Sequence, residues 1–408
     1  MSIEVRPVVT DAEWERHCFI SAYAFNGDRS DEATRRRGQY YDRSWALAAF
    51  DGSEMVAGLT IIPFEQYVNG APIKFGGIAS VSCLPERRRG GSVGRLLAAA
   101  LAQMRDQGQV LSGLYTPHYS LYRKFGWELA GRTMAYAFAP KTVRVRNPAP
   151  AGSWRRVDGA AWAELDAIYR ALWAPRSGAV TRSEQRWRQN VLSDYGRGEH
   201  DAAIWSDETG APRGYVVYST HHREVATSPM GELVLRVRDW AALDAEAYAA
   251  VLQYLLNHDL AGRVVMLCGA DEPLPEAFDE PAHITEPPGA WFGMCLRLVD
   301  VQRALEARPA LAQASGRSLT VGLTDDTAPW NAGTWRIECR DGRMTAERTQ
   351  ALAELEMDAR ALAPIYNGFT KVADAARVGS VRSSSDAAIA AATDIFSTTY
   401  APYCPDDF

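Results

Sequence analysis

Val81-Ser82-Cys83-Leu84-Pro85-Glu86-Arg87-Arg88-Arg89-Gly90-Gly91-Ser92-Val93-Gly94-Arg95-Leu96-Leu97 is the stretch that decides the fold of this chain. An apolar strand over residues 74–83 ends at Leu84-Pro85, and a helical run over 93–107 opens after the glycines and stops at Gly108. A glycine-rich turn between a strand and a helix aims several backbone N–H groups, and the positive helix end, at one point. Arg87, Arg88 and Arg89 add charge around it, which suits a pyrophosphate. A glycine-rich turn alone would be an ordinary connection with a solvated basic face. Strand context, arginines and Gly90, Gly91 and Gly94 together favour a phosphate cradle.

Outward from that turn, the pattern is mixed α and β. Helices are expected over residues 10–24, with Thr10 or Asp11 as cap, and near 32–41. Strands over 45–50 and 55–63 flank Asp51-Gly52-Ser53-Glu54, a hairpin signal. A strand over 110–115, a short helix over 120–125 closed by Gly126, and a last strand over 134–139 complete the segment. Residues 147–152, Asn-Pro-Ala-Pro-Ala-Gly, read as a linker. The same order of elements then recurs, with helices over 160–173 and 244–257 and strands over 202–205, 214–219, 231–237 and 263–268. Where the first copy has its cradle, the second has Arg238-Asp239-Trp240, so it reads as a degenerate copy. After Pro287-Pro288 the pattern changes to a helix from 300, strands over 319–324 and 333–339, and helices over 358–366 and 386–396. We expect three domains, over residues 1–150, 151–290 and 291–408.

Composition narrows the function. At 408 residues, 47% hydrophobic and 23% charged, the chain is neither disordered nor fibrous. A net charge of −6 argues against a dedicated nucleic-acid binder and tolerates a cationic small substrate. No apolar run approaches the roughly 20 residues of a membrane helix, and Met1–Arg6 carries no signal-peptide pattern, so a cytoplasmic protein without membrane contact is expected. The six cysteines form no Cys-x-x-Cys pair and have no histidine at metal-ligand spacing, so neither a metal site nor a disulfide framework is expected.

The turn resembles the coenzyme A loop of GNAT acetyltransferases, Arg/Gln-x-x-Gly-x-Gly/Ala, in the register Arg88-Arg89-Gly90-Gly91-Ser92-Val93. Val93 departs from the small third position, and a hydrophobic residue there is a feature of the Eis-like (enhanced intracellular survival) branch. Tyr122-Arg123-Lys124-Phe125-Gly126-Trp127 is similar to that branch's Tyr-x-x-Phe-Gly-Tyr/Trp. Length, layout and a terminal aromatic residue match as well. The resemblance implies an α+β chain of two tandem GNAT-like domains, the second degenerate, followed by a sterol-carrier-protein-like domain.

It also implies a site. Val81, Ser82 and Cys83 would hold the coenzyme arm, Arg89, Gly90, Gly91, Ser92, Val93 and Gly94 the pyrophosphate, and Pro117 with His118 would contribute from a loop. Tyr122 would be the general acid that protonates the departing thiolate, although the buried face of a short helix also explains it. The terminal carboxylate of Phe408 would be the general base. An ordinary α-carboxyl has a pKa of about 3.3–3.7, so this role needs burial, and Pro402, Pro405, Tyr403 and Phe408 favour a docked tail over a frayed one. Phe25 and Asp407 fall where the family lines its substrate pocket. The implied reaction is direct acetylation, by acetyl-CoA, of primary amines on small cationic molecules such as aminoglycosides, in a homohexamer built as a trimer of dimers. Two alternatives stand beside it: acetylation of a protein lysine or one small metabolite, and a non-enzymatic protein that binds an apolar ligand in its C-terminal domain.

Overall fold

The computed structural model describes residues 3–147, 151–195, 198–225, 228–286 and 293–408. Part of the expected linker, and Pro287-Pro288 with the boundary at 290, lie outside the described residues. The chain forms two compact units: Met1–Ala130 with Met294–Thr399 and Asp407–Phe408, and Gly131–Gly293 with Tyr400–Asp406.

The first unit holds a seven-stranded sheet in the order β1 (Ile3–Pro7), β2 (Ala46–Asp51), β3 (Glu54–Val68), β4 (Ala71–Cys83), β5 (Leu111–Leu114), β13 (Cys295–Leu298), β6 (Glu128–Leu129). The helices of its N-terminal segment are α1 (Asp11–Ala24), α2 (Asp31–Tyr40), α3 (Ser92–Asp106) and α4 (Tyr119–Arg123). α1 starts at a reciprocal cap: the Glu13 N–H donates to Thr10 Oγ1 and the Thr10 N–H to Glu13 Oε2, both at 3.2 Å. Such a cap is worth about 1 kcal/mol. α3 buries Leu96, Leu97, Ala100, Leu101 and Met104 in a core with Val56, Leu59, Ile78 and Leu114. Cutting one of those leucines to alanine costs about 2–5 kcal/mol. That anchors the helix whose start forms the cradle.

One strand lies elsewhere than expected. The run near 134–139 is β7 (Thr133–Phe138) and belongs to the second unit's sheet, paired with β12 (Arg263–Gly269). Its place in the first sheet is taken by β13, whose Cys295–Leu298 face Leu114–Leu111 in antiparallel register. All four β13 residues are buried. A strand buried along its whole length, with the Arg297 guanidinium paired to buried Asp325 at 2.6 Å, belongs inside a sheet, because on an edge it would leave apolar surface and unpaired backbone in water.

A further sheet in the first unit runs β16 (Arg343–Arg348), β15 (Gly333–Arg340), β14 (Ser318–Thr324), β17 (Leu355–Asp358), β18 (Val381–Ser383). The Asn69 amide donates to the carbonyls of Pro309 and Ser397 at 3.2 Å, and the Asn367 amide to that of Ala130 at 2.6 Å. The C-terminal segment thus packs as one body with the first sheet.

The second unit repeats the plan. Its order is β7, β12, β11 (Ser228–Ala242), β10 (Pro212–Val225), β9 (Asp201–Asp207), β8 (Gly152–Val157), with α5 (Trp162–Trp173), the one-turn α6 (Glu184–Arg186) and α7 (Ala245–Leu256). β11 continues through Arg238-Asp239-Trp240, with a bulge at Arg238 between the pairs Val217↔Asp239 and Tyr218↔Val237. At the start of α7 the Asp244 carboxylate accepts from the Ala247 N–H (2.8 Å) and pairs with Arg213 (2.7 Å). A carboxylate already sits where an anion would bind. This copy has filled its own cradle.

Among the described residues no helix is long and apolar enough to cross a membrane, and all six cysteines are buried thiols.

His17, 2% exposed on α1, stacks on Trp14 and places Nε2 3.1 Å from Thr60 Oγ1. Burial pushes its pKa down from 6.5 to about 4. The fold therefore holds a neutral ring, while the unfolded chain gains a proton below pH 6.5. The resulting stability is present above that pH and is lost as pH falls toward 4, by about 3 kcal/mol. Urea midpoints across this window should fall more steeply for the native chain than for His17→Gln; parallel curves would exclude the effect.

Candidate active site

The site begins where two strands part. β3 and β4 pair along their length, with one extra residue on β4 between the pairs Gly58↔Ser82 and Thr60↔Ala79. Ser80 takes the left-handed conformation there, at φ 55°. That backbone costs a non-glycine residue on the order of 1 kcal/mol or more. On the other side, the parallel β4–β5 ladder consists of Phe75↔Leu111, Gly76↔Ser112 and Gly77↔Gly113 and then stops. From Ile78 to Cys83 the β4 edge facing β5 has no strand partner among the described residues. An extended, amide-bearing ligand can complete that ladder, because buried backbone groups require partners. The Ser82 hydroxyl adds a buried polar atom with no hydrogen-bond partner among the described residues. Val81, Ser82 and Cys83 lie along this notch and fit a coenzyme A arm.

The cradle follows directly. After a 3-10 turn at Pro85–Arg87, Arg89 (φ 66°) and Gly91 (φ 83°) are both left-handed, and Gly91 caps α3 with no side-chain hydrogen bond. The N–H groups of Ser92, Val93 and Gly94, at the start of a 15-residue helix, are left for an anion. Gly94 serves packing: a Cβ there would lie 2.7 Å from Phe125 Cζ. The three arginines do not act alike. Arg87 is paired with Asp51 (3.1 Å) and Glu54 (2.7 Å), and Arg88 Nε reaches the Cys83 carbonyl at 3.4 Å. Arg89 is exposed beside the helix start. Pro117 and His118 are exposed in the loop between β5 and α4, where the His118 N–H donates to Thr116 Oγ1 at 2.8 Å.

Tyr122 is buried on α4, in the core cluster that includes Ile78, Leu114, Trp127 and Cys295. Burial, with a smaller contribution from Cys295, pushes its phenol up to about 12. It is a neutral hydrogen-bond donor near neutral pH. Burial also pushes the Cys83 thiol up and the Cys295 thiol to about 12, so neither offers a thiolate nucleophile.

The chain's last residue comes to the same notch. The Phe408 ring lies 5.3 Å from Phe64, 6.0 Å from Phe75 and 5.4 Å from Tyr115, centroid to centroid. Each such ring pair adds about 0.5–1.5 kcal/mol beyond its buried area. A Cβ on Gly77 would stand 2.8 Å from the Phe408 ring. Gly77 is the last β4 residue of the β4–β5 ladder, so the ring sits at the point of divergence. Tyr122 packs in the cluster that holds Ile78 and Leu114, and Phe408 packs against Gly77. Asp407, before Phe408 in the chain, is exposed, while Phe25, which ends α1, is 63% exposed.

The aromatic cage of Phe64, Phe75 and Tyr115 escaped the sequence reading, as did the role of Gly77. The signal was the pair Gly76-Gly77 inside a strand, which marks close approach by another group. Gly77→Ala tests it. The methyl forces the terminal ring to shift, so turnover should fall about tenfold to a hundredfold, with the thermal midpoint nearly unchanged. Unaltered turnover would show that the ring's position does not matter.

Among known proteins, the acetyltransferase (GNAT) domain matches residues 4–130 and again 178–298, and the sterol carrier protein domain matches 301–405. An uncharacterised N-acetyltransferase of Streptomyces griseus is 29% identical over 100% of both chains. N-acetyltransferase Eis of Mycobacterium tuberculosis is 23% identical over 91% of this chain and 92% of its own. The crystal structure of Eis1 from Mycobacterium abscessus superposes with a TM-score of 0.83 at 25% identity, over 100% of both chains. A GCN5-related N-acetyltransferase from Anabaena variabilis shares the fold, with a TM-score of 0.89 at 21% identity over 100% of both chains. With a parted strand pair and an open helix start in the first GNAT domain, a second GNAT domain and a sterol carrier domain behind it, the chain is an N-acetyltransferase of GNAT type, similar from end to end to the Eis enzymes.

Proposed function

We propose that the enzyme transfers acetyl groups from acetyl-CoA to primary amines of small cationic molecules such as aminoglycosides. Phe408 supplies the base through its terminal carboxylate, and Tyr122 supplies the acid. The observation that carries this reading is the seat of the Phe408 ring against Gly77, where β4 and β5 part. The three rings around the Phe408 side chain hold the terminal residue at this point of the sheet, so its carboxylate is tethered beside the notch.

Acetyl-CoA, when bound, supplies the activated acetyl group. Val81, Ser82 and Cys83 orient its arm by backbone pairing, and Arg89 through Gly94 hold its pyrophosphate. The acceptor arrives as an ammonium, with a pKa near 10.4 for a lysine-like amine. The Phe408 carboxylate takes that proton and frees the lone pair for attack. Tyr122 Oη donates to the sulfur as the C–S bond breaks, and the second proton, lost by the acylated nitrogen, restores the phenol through solvent. Acid and base of this kind each contribute about 10²–10⁴-fold. The high-lying Cys83 and Cys295 thiols support direct transfer to the amine.

Free-thiol release from acetyl-CoA, run with aminoglycosides, polyamines and a lysine peptide, tests the reading. Aminoglycoside-dependent release at several amines is the expected result. Turnover with the peptide alone would favour a protein-lysine enzyme, and no turnover with any amine would overturn the proposal. The family resemblance extends the reading to a cytoplasmic homohexamer, for which sedimentation should show six chains.

A further inference from the structure

The second copy keeps an opening where α7 follows β11, the counterpart of the first copy's cradle between β4 and α3. A cavity of 530 Å³ lies there, between the end of β11, the start of α7 and the end of α5. That is within the size range of small-molecule sites. Leu172, Leu243, Ala249 and Pro273 give it apolar walls. Tyr248 adds a ring, and its hydroxyl is already committed to Glu272 Oε1 at 2.9 Å.

The cavity does not suit acetyl-CoA. The Asp244 carboxylate takes the Ala247 N–H at the start of α7, and its charge is met by Arg213. The gap where a coenzyme arm would lie is taken as well. The parallel β11–β12 ladder stops at Arg236↔Val265, and at the far end of β12 the Tyr403 Cβ lies 3.2 Å from where a Cβ on Gly269 would stand. This part of the tail is fastened within the second unit. The Tyr403 N–H donates to the Ser177 carbonyl at 3.0 Å, and Asp406 accepts from Arg182 Nε at 3.0 Å.

Two charges on the cavity lining lack partners. Arg176 is the one basic side chain among its described residues. The guanidinium is half-buried, with Cζ 4.2 Å from the Tyr400 ring centroid and 5.4 Å from that of Trp173. Ring faces hold a cation without using its N–H donors. Neither the Arg176 side chain nor that of exposed Glu276 has a hydrogen bond or an ion pair among the described residues. Arg170 and Arg213, by contrast, each meet a carboxylate, at 2.5 and 2.7 Å. The planar fork of an arginine matches a carboxylate, and a free glutamate matches an ammonium. One small molecule in a cavity of this size can reach both.

We propose that the second GNAT copy holds a site for a small aliphatic α-amino acid. Arg176 takes its carboxylate, Glu276 its ammonium, and Leu172, Leu243 and Ala249 surround its side chain. All of these residues belong to the second unit, so the reading stands apart from the roles of Phe408 and Tyr122.

Calorimetry on the full chain, without acetyl-CoA, tests this with three probes. They are L-leucine, isocaproate, which lacks the amine, and isoamylamine, which lacks the carboxylate. Leucine should bind saturably, and each analogue at least about tenfold more weakly, because one charge-assisted contact is lost. Arg176→Gln and Glu276→Gln should each weaken leucine by about tenfold to a hundredfold. An unchanged Kd for acetyl-CoA shows that a variant is folded; one that fails this control leaves the test to the other variant and the analogues. No leucine binding, equal binding of the acid or the amine, or leucine binding unaltered in either folded variant overturns the proposal. The last result would place leucine in the first copy, as an acceptor amine.

Discussion

Deleting Phe408 should lower kcat by about 10²–10⁴-fold while acetyl-CoA still binds. The deletion removes both the carboxylate proposed as the base and the ring held by Phe64, Phe75 and Tyr115. It leaves Ser82 and the start of α3, so the Kd for acetyl-CoA, read by calorimetry, should stay within about a few fold. Appending one glycine after Phe408 separates the two contributions. The ring can stay, but the carboxylate moves outward by about 3.5 Å. Turnover should then fall nearly as far as in the deletion. Full activity in either variant would refute the terminal-base assignment and direct attention to the exposed Asp407.

Replacing Tyr122 with Phe should cost about 10²–10³-fold in kcat with acetyl-CoA. The effect depends on the leaving group, which distinguishes a proton donor from a packing residue. An acetyl thioester of a more acidic aromatic thiol departs without help, so with that donor Tyr122→Phe should approach native turnover. The Phe408 deletion should remain impaired with it, because the amine must still lose its proton. Equal impairment with both thioesters would reduce Tyr122 to a packing role. The pH dependence has a definite sign. With the phenol pushed up to about 12, the donor form persists through the range from neutral to pH 10, so native kcat should show no alkaline decline from Tyr122 there. A decline present in the native chain and absent from Tyr122→Phe would contradict the buried, neutral phenol.

The parts of the site that were readable in the sequence share one property: their partners are close in the chain. Asp244 before α7 and Thr10 before α1 bond to backbone groups three residues on. The Gly91 cap and Gly126 turn answer to local backbone angles, at φ 83° and 88°. The short edge strands β1 and β8 were not legible, because neither is a buried, alternating run. The exchange of β7 and β13 was hidden for another reason. Both are short, mainly buried strands that fit either sheet by length, and only long-range pairing, including that of Arg297 in β13 with Asp325, assigns them.

By itself, the sequence determined the strand-turn-helix cradle and the recurrence of the fold in a copy without a cradle, since motif chemistry and capping act over a few residues, while the candidate acid and base came from the family resemblance. Only the tertiary structure decided that β4 and β5 part at Gly77↔Gly113, that the Phe408 ring seats against Gly77, and that Asp406 meets an arginine 224 residues away. Contacts between such distant segments are selected by packing and desolvation of the whole assembly, to which no local pattern is sensitive.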